Sequence, residues 1–162
     1  MNPRAAELIA RLGMIPHPEG GYFAEVYRSS SIVRPDDARP PRRAVTTIYF
    51  LLQSGEHSGL HRVLSDEIWH FYEGDVLDLV WWERATDVVQ RHRLGPVADD
   101  QTRPVAVVPA GWWQAARTTG AYTLVGCTVG PGFEYADFTM TREDADTLQA
   151  LRERRPELLP FL

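Results

Sequence analysis

Hydrophobic and polar positions change rhythm twice along this chain. In residues 3–12, Leu8, Ile9 and Leu12 recur at helical spacing between a capping residue, Asn2, and a terminating Gly13, with Pro3 at the first helical position. This predicts a short helix over about 3–12, whose narrow apolar stripe docks it on a larger body. From Gly21 to about residue 139 the pattern becomes short runs rich in Val, Thr, Tyr, Trp and Phe, broken by turn residues. Such runs predict antiparallel strands, most clearly at 45–52, 60–64, 67–72, 76–82, 87–94, 105–108, 112–117 and 122–129. Gly74-Asp75, Thr118-Thr119-Gly120 and Gly130-Pro131-Gly132 mark turns between them. Residues 34–43, with Pro35, Pro40 and Pro41 among alternating charges, predict a solvated loop. A second helix is expected over about 142–154, with a hydroxyl start, acids in its first turn and arginines in its last. The expectation is one all-β domain over 1–162: a barrel or sandwich over about 21–139 with a short helix at each end.

Composition narrows the function classes. With 162 residues, 44% of them hydrophobic, the chain is long enough to bury one sizeable core. The net charge is -5 with both signs interspersed, so no basic stripe offers itself to a phosphate backbone, and no nucleic-acid partner is expected. Cys127 is the sole cysteine, which forbids an internal disulfide and points to a cytoplasmic location. No run approaches the length needed to cross a bilayer, so no membrane partner is expected. All seventeen basic residues are arginine, which removes Schiff-base chemistry on a lysine.

Strand alternation then selects residues that can carry chemistry. Glu67, Trp69 and Phe71 share one strand face, and Ile68, His70 and Tyr72 the other. If the first face lines a barrel, burial raises the Glu67 pKa and makes the carboxyl a candidate acid, base or ligand; the alternative is a structural carboxylate held by backbone or arginine donors. His61 and Val63 form a second such pair, and Trp112, Gln114 and Ala116 a third. Gln114 suits a substrate amide or hydroxyl, or equally a neighbour inside the barrel. His70 reads as structural or interfacial. His57 and His61 have the i, i+4 spacing of a zinc-protease helix, but Gly55 and Gly59 argue against a helix there. Trp112 and Trp113 must face opposite ways.

The segments Gly59-Leu60-His61-Arg62-Val63, Glu67, Gly74 and Pro109-Ala110-Gly111-Trp112-Trp113-Gln114 resemble the two motifs of the cupin superfamily. His61, Glu67 and Gly74 match the first motif and Pro109 and Gly111 the second. Val63 and Gln114 stand where the motifs place further histidine ligands. His17-Pro18-Glu19-Gly20-Gly21-Tyr22-Phe23, Ser65-Asp66-Glu67-Ile68-Trp69-His70-Phe71 and Gly130-Pro131-Gly132-Phe133-Glu134 together resemble a family of small, single-domain cupins of unknown function, similar in build to dTDP-4-dehydrorhamnose 3,5-epimerases. The resemblance implies a double-stranded β-helix (jelly-roll) barrel and a homodimer. From the epimerases it implies a general base at His61, in Gly59-Leu60-His61. Their tyrosine acid, near a Cys-Thr step, has no counterpart after Cys127-Thr128, leaving Tyr122 and Tyr135 as nearby candidates.

The expected function is therefore small-molecule binding, with an epimerase or isomerase acting on a sugar nucleotide or similar polar metabolite as the catalytic form. His61 and Glu67 are the catalytic candidates; Gln114, Trp112, Trp69 and Phe71 are the ligand-binding ones. The alternatives are a non-catalytic metabolite-binding module and a metal-dependent cupin enzyme. No cofactor is expected, and a divalent ion is conceivable only at His61 and Glu67.

Overall fold

Large side chains on alternate strand positions need a second layer to cover them, and here two six-stranded sheets supply it for each other. The computed structural model describes residues 2–98 and 101–162. In chain order its elements are α1 (Pro3–Leu12), β1 (Ile15–Pro16), β2 (Tyr22–Arg28), β3 (Ile32–Val33), β4 (Arg42–Arg43), β5 (Thr46–Gln53), β6 (His57–Val63) and β7 (Asp66–Gly74). They continue with β8 (Leu77–Glu83), β9 (Val88–Leu94), β10 (Thr102–Arg103), β11 (Val105–Val108), β12 (Trp113–Thr118), β13 (Tyr122–Gly130), β14 (Phe138–Met140) and α2 (Ala145–Arg154). The first sheet runs β1-β2-β5-β13-β7-β11 and the second β10-β9-β8-β12-β6-β14, with β3 and β4 paired apart from both. The architecture is a jelly-roll barrel of the cupin type. Each of the eight expected runs is a strand, and β2, absent from that set, adds a ninth substantial one.

Alternation partitions the apolar residues into three clusters. The barrel interior holds Phe50, Leu52, Trp69, Leu79, Trp81 and Val125, drawn from both sheets. On the outer face of the first sheet, Leu51 and Leu124 meet Ala5 and Leu8 of α1, so the helix covers that sheet as its stripe predicted. On the outer face of the second, Leu60, Val80, Trp82 and Trp113 lie under Leu151 of α2 and under Leu158 and Phe161 of the C-terminal 3-10 turns. Trp112 packs inward and Trp113 outward, as alternation requires.

Two expectations need correction. The 34–43 segment is not a wholly solvated loop. Arg42 and Arg43 form β4, and Arg42 is buried because Asp137 receives its guanidinium through two hydrogen bonds, at 2.7 and 2.8 Å. The second helix begins later than the hydroxyl at Thr141 suggested. Thr141 lies in a 3-10 turn and donates to the Leu60 carbonyl, while Asp144 caps α2 by accepting from the Thr147 N–H at 2.9 Å.

Candidate functional site

Between the sheets lies a cavity of about 140 Å³. Its polar wall is built by His17, Glu19, His61, Glu67 and Cys127, and its apolar wall by Ile48, Val63, Val129 and the rings of Phe23, Phe133 and Phe138. Three routes deliver the polar groups. His61 sits on β6, paired with Gln114 of β12 and Met140 of β14, and so belongs to the second sheet. Glu67 sits on β7, between Val129 of β13 and Val108 of β11, and belongs to the first. His17 and Glu19 come from the turn between β1 and β2. Gly20 and Gly21 there have φ of 109° and 70°, and a Cβ on Gly20 would stand 2.3 Å from the His57 carbonyl oxygen. The turn tucks against the barrel only because both positions lack side chains.

The centre of the site is a buried histidine and glutamate set side by side. His61 is 2% exposed, and its Nδ1–H donates to the Gly59 carbonyl at 2.8 Å, which fixes the tautomer and leaves Nε2 for other work. Nε2 stands 3.3 Å from Glu19 Oε2, whose other oxygen accepts from Ser58 Oγ at 2.9 Å. Burial drives the two groups in opposite senses, lowering the His61 pKa and raising that of Glu19, so each resists carrying charge. His17 stands 3.7 Å from the same Glu19 oxygen, and burial lowers its pKa too. The Gly59 N–H donates to the Glu19 carbonyl at 2.7 Å, so Gly59 touches both members of the pair.

Glu67 is held by a relay. An indole N–H can only donate, so Trp69 Nε1 at 3.0 Å assigns the oxygen end of Gln114 as acceptor, and the Gln114 amide donates to Glu67 Oε2. The Cys127 thiol donates to Glu67 as well, and burial beside that carboxyl pushes its own pKa well up. Burial raises the Glu67 pKa to about 7, against a smaller lowering by His61. The protonated form of this carboxyl therefore persists to a higher pH than that of an exposed glutamate.

His61, Glu67 and Gln114 are thus brought together, from opposite sheets, at one place. The other expected ligand contacts are placed differently. Trp69 and Phe71 point into the barrel but pack in its core, and Trp112 packs against the same core. Gln114 stands behind Glu67, bonded to it and to Trp69. Tyr122 is on the outside, donating to Glu73 at 2.6 Å, whereas Tyr135 lines the cavity mouth. His57 contacts Phe161 on the outer face and is in no helix. His17 and Glu19 were missed as site residues. Their signals were two polar groups placed just before the Gly20-Gly21 pair, in a segment that also carried the family resemblance.

The cupin fold raises the question of a metal ion, and the donor set answers it. Among the described residues no group of three or more His, Cys, Asp and Glu side chains is disposed to hold one. Val63 and Gln114, an apolar side chain and an amide, occupy two places where the motif has histidines, which leaves the site short of imidazole donors. The described residues do not fit a metal centre.

Known proteins agree with this fold. A hypothetical protein from Leishmania major is 32% identical over 96% of each chain, with a TM-score of 0.86. A crystal structure of a Shewanella oneidensis protein is 30% identical, covers 98% of this chain and 96% of that one, and has a TM-score of 0.84. A cupin 2 conserved barrel domain protein from Rhodopseudomonas palustris, 14% identical over 92% and 97% of the two chains at a TM-score of 0.54, is similar in fold alone. No curated protein gives a significant match. The model of the Cupin_5 family, described as Cupin superfamily (DUF985), matches residues 6–141, and the chain belongs to that family.

Proposed function

We propose that this cupin binds a small polar metabolite between its sheets and moves a proton on it, in the manner of an isomerase or epimerase. The observation that carries the reading is the His61–Glu19 pair at 3.3 Å, with the far nitrogen of His61 locked on a backbone carbonyl. In this reading His61 Nε2 takes a proton from carbon next to a carbonyl, and the electron pair left behind moves onto the carbonyl oxygen. Glu19 then faces the resulting imidazolium. Glu67, from the opposite sheet and with a pKa near 7, supplies the proton that returns to carbon. This gives Glu67 the role that the tyrosine has in the epimerase resemblance.

The cavity volume, about 140 Å³, favours a ligand of sugar-ring size or smaller. A whole sugar nucleotide would leave its nucleotide outside, over a mouth that offers Arg28 flanked by Glu25 and Glu134. The test is solvent deuterium incorporation into a panel of small carbonyl metabolites followed by mass spectrometry. The wild type is expected to exchange the α-proton of at least one member, and His61→Asn to slow that exchange at least 100-fold, within the range that a positioned general base contributes, roughly 100- to 10,000-fold. Exchange that survives His61→Asn at the wild-type rate removes the proposal.

A further inference from the structure

We infer that the ligand of this cavity is a small organic cation, an ammonium carried on a few carbons, recognised by the Glu19 and Glu67 carboxyls and by the aromatic rings at the mouth. The inference deepens the proposed function and rests on its reading of this cavity as the working site.

The charge inventory comes first. Four carboxyl groups line the cavity, Glu19 and Glu67 inside and Glu25 and Glu134 at the mouth, against one guanidinium, Arg28. That guanidinium is already engaged, at 2.8 Å with Glu25, 3.1 Å with Glu134 and 3.2 Å with the Phe133 carbonyl. Inside, among the described residues, no arginine reaches either carboxyl. Glu19 meets only imidazoles and the Ser58 hydroxyl, and Glu67 accepts from an amide and a thiol. A buried carboxylate without a cation is costly, so burial holds both groups toward their protonated forms, and an arriving ammonium favours the ionised ones. An anion gains no such partner, since Arg28, the guanidinium on the cavity lining, is already held by Glu25 and Glu134.

The walls fit the same ligand. Phe133, Tyr135 and Phe138 line the cavity with centroids 5.1, 5.9 and 6.2 Å apart and planes crossing at 68–84°. Aromatic rings attract cations through their electron-rich faces and gain nothing comparable from a neutral alkyl group. Aliphatic side chains, Ile48, Val63 and Val129, would receive the carbon substituents. Among the described residues that line the cavity no lysine or unengaged guanidinium competes for the carboxyls, and the volume suits a molecule of several heavy atoms.

The probe is choline, compared with its uncharged carbon isostere 3,3-dimethyl-1-butanol and with acetate, each titrated calorimetrically into the intact wild-type protein at neutral pH. Choline is expected to bind at least tenfold more tightly than either. Equal or tighter binding of the isostere or of acetate overturns the inference, as does no choline binding up to about 10 mM. Glu67→Gln, checked for folding by circular dichroism, is expected to weaken choline at least tenfold, and unchanged affinity would also overturn it. The isostere comparison needs no variant, so it decides the matter even if that variant fails to fold. Binding and turnover are read separately. Proton exchange without cation preference retires this inference alone, whereas cation preference without exchange on any carbonyl metabolite retires the proton-transfer reading alone.

Discussion

At the scale of single residues, the protonation of Glu67 is the most consequential property of the site. Its carboxyl has a pKa of about 7 in the folded chain against an ordinary value of 4.5, so the native state holds this proton more tightly than the unfolded one. The contribution of this group to stability therefore falls as pH rises from 4.5 to 7 and is level above, by about 3 kcal/mol for a shift of this size. His61 and His17 act in the opposite sense, because their pKa values are lowered and their cost appears as pH falls below 6.5. The comparison of wild type with Glu67→Gln isolates the first effect. In urea unfolding, the advantage of the glutamine variant should grow by about 3 kcal/mol between pH 4.5 and 7. A difference that does not vary with pH would show that the carboxyl is not held in this way. His61 and Glu67 were legible in the sequence because both stand on strands, where a two-residue period states which side chains turn inward. His17 and Glu19 stand in a turn, where no period applies, and they meet His61 more than forty positions away.

At the scale of elements, the turn between β1 and β2 is where sequence and site are most tightly linked. Gly20 combines a positive φ with a backbone oxygen of β6 at the place a Cβ would take. Gly20→Ala must move the turn, and Glu19 with it. We expect a loss of about 2 kcal/mol or more in chemical denaturation, within the range for strained backbone. Metabolite binding should be lost beyond what the stability change explains, and binding equal to wild type would mean that the turn does not position Glu19. The strands of the barrel were legible for the reason just given, and so was α1, whose cap, proline and terminating glycine all act locally. The start of α2 was less so. Thr141 and Asp144 are both competent caps, and the choice falls to Asp144 because the Thr141 hydroxyl is committed to the Leu60 carbonyl, a tertiary contact. Burial of Arg42 in a charged, proline-rich stretch depends likewise on Asp137, which lies 95 positions along the chain.

At the scale of the molecule, each sheet has one face on the cavity and barrel core and the other under a helical cover. This separates stability from function. Leu151 of α2 is fully buried against the outer face of the second sheet, away from the cavity. Leu151→Ala should cost about 2–5 kcal/mol by leaving a void, measured by thermal or urea unfolding, while ligand affinity below the transition stays within twofold of wild type. A matching collapse in affinity would mean that the cover and the cavity move as one unit. The clearest separation of this kind is at Gly59. Its N–H and its carbonyl engage Glu19 and His61 respectively, so peptide groups rather than neighbouring side chains keep the acid and the imidazole in step. Ile48, Val63 and Val129 are therefore open to redesign: exchanging them would recut the space for a new guest while the proton-handling machinery stays in its mounting.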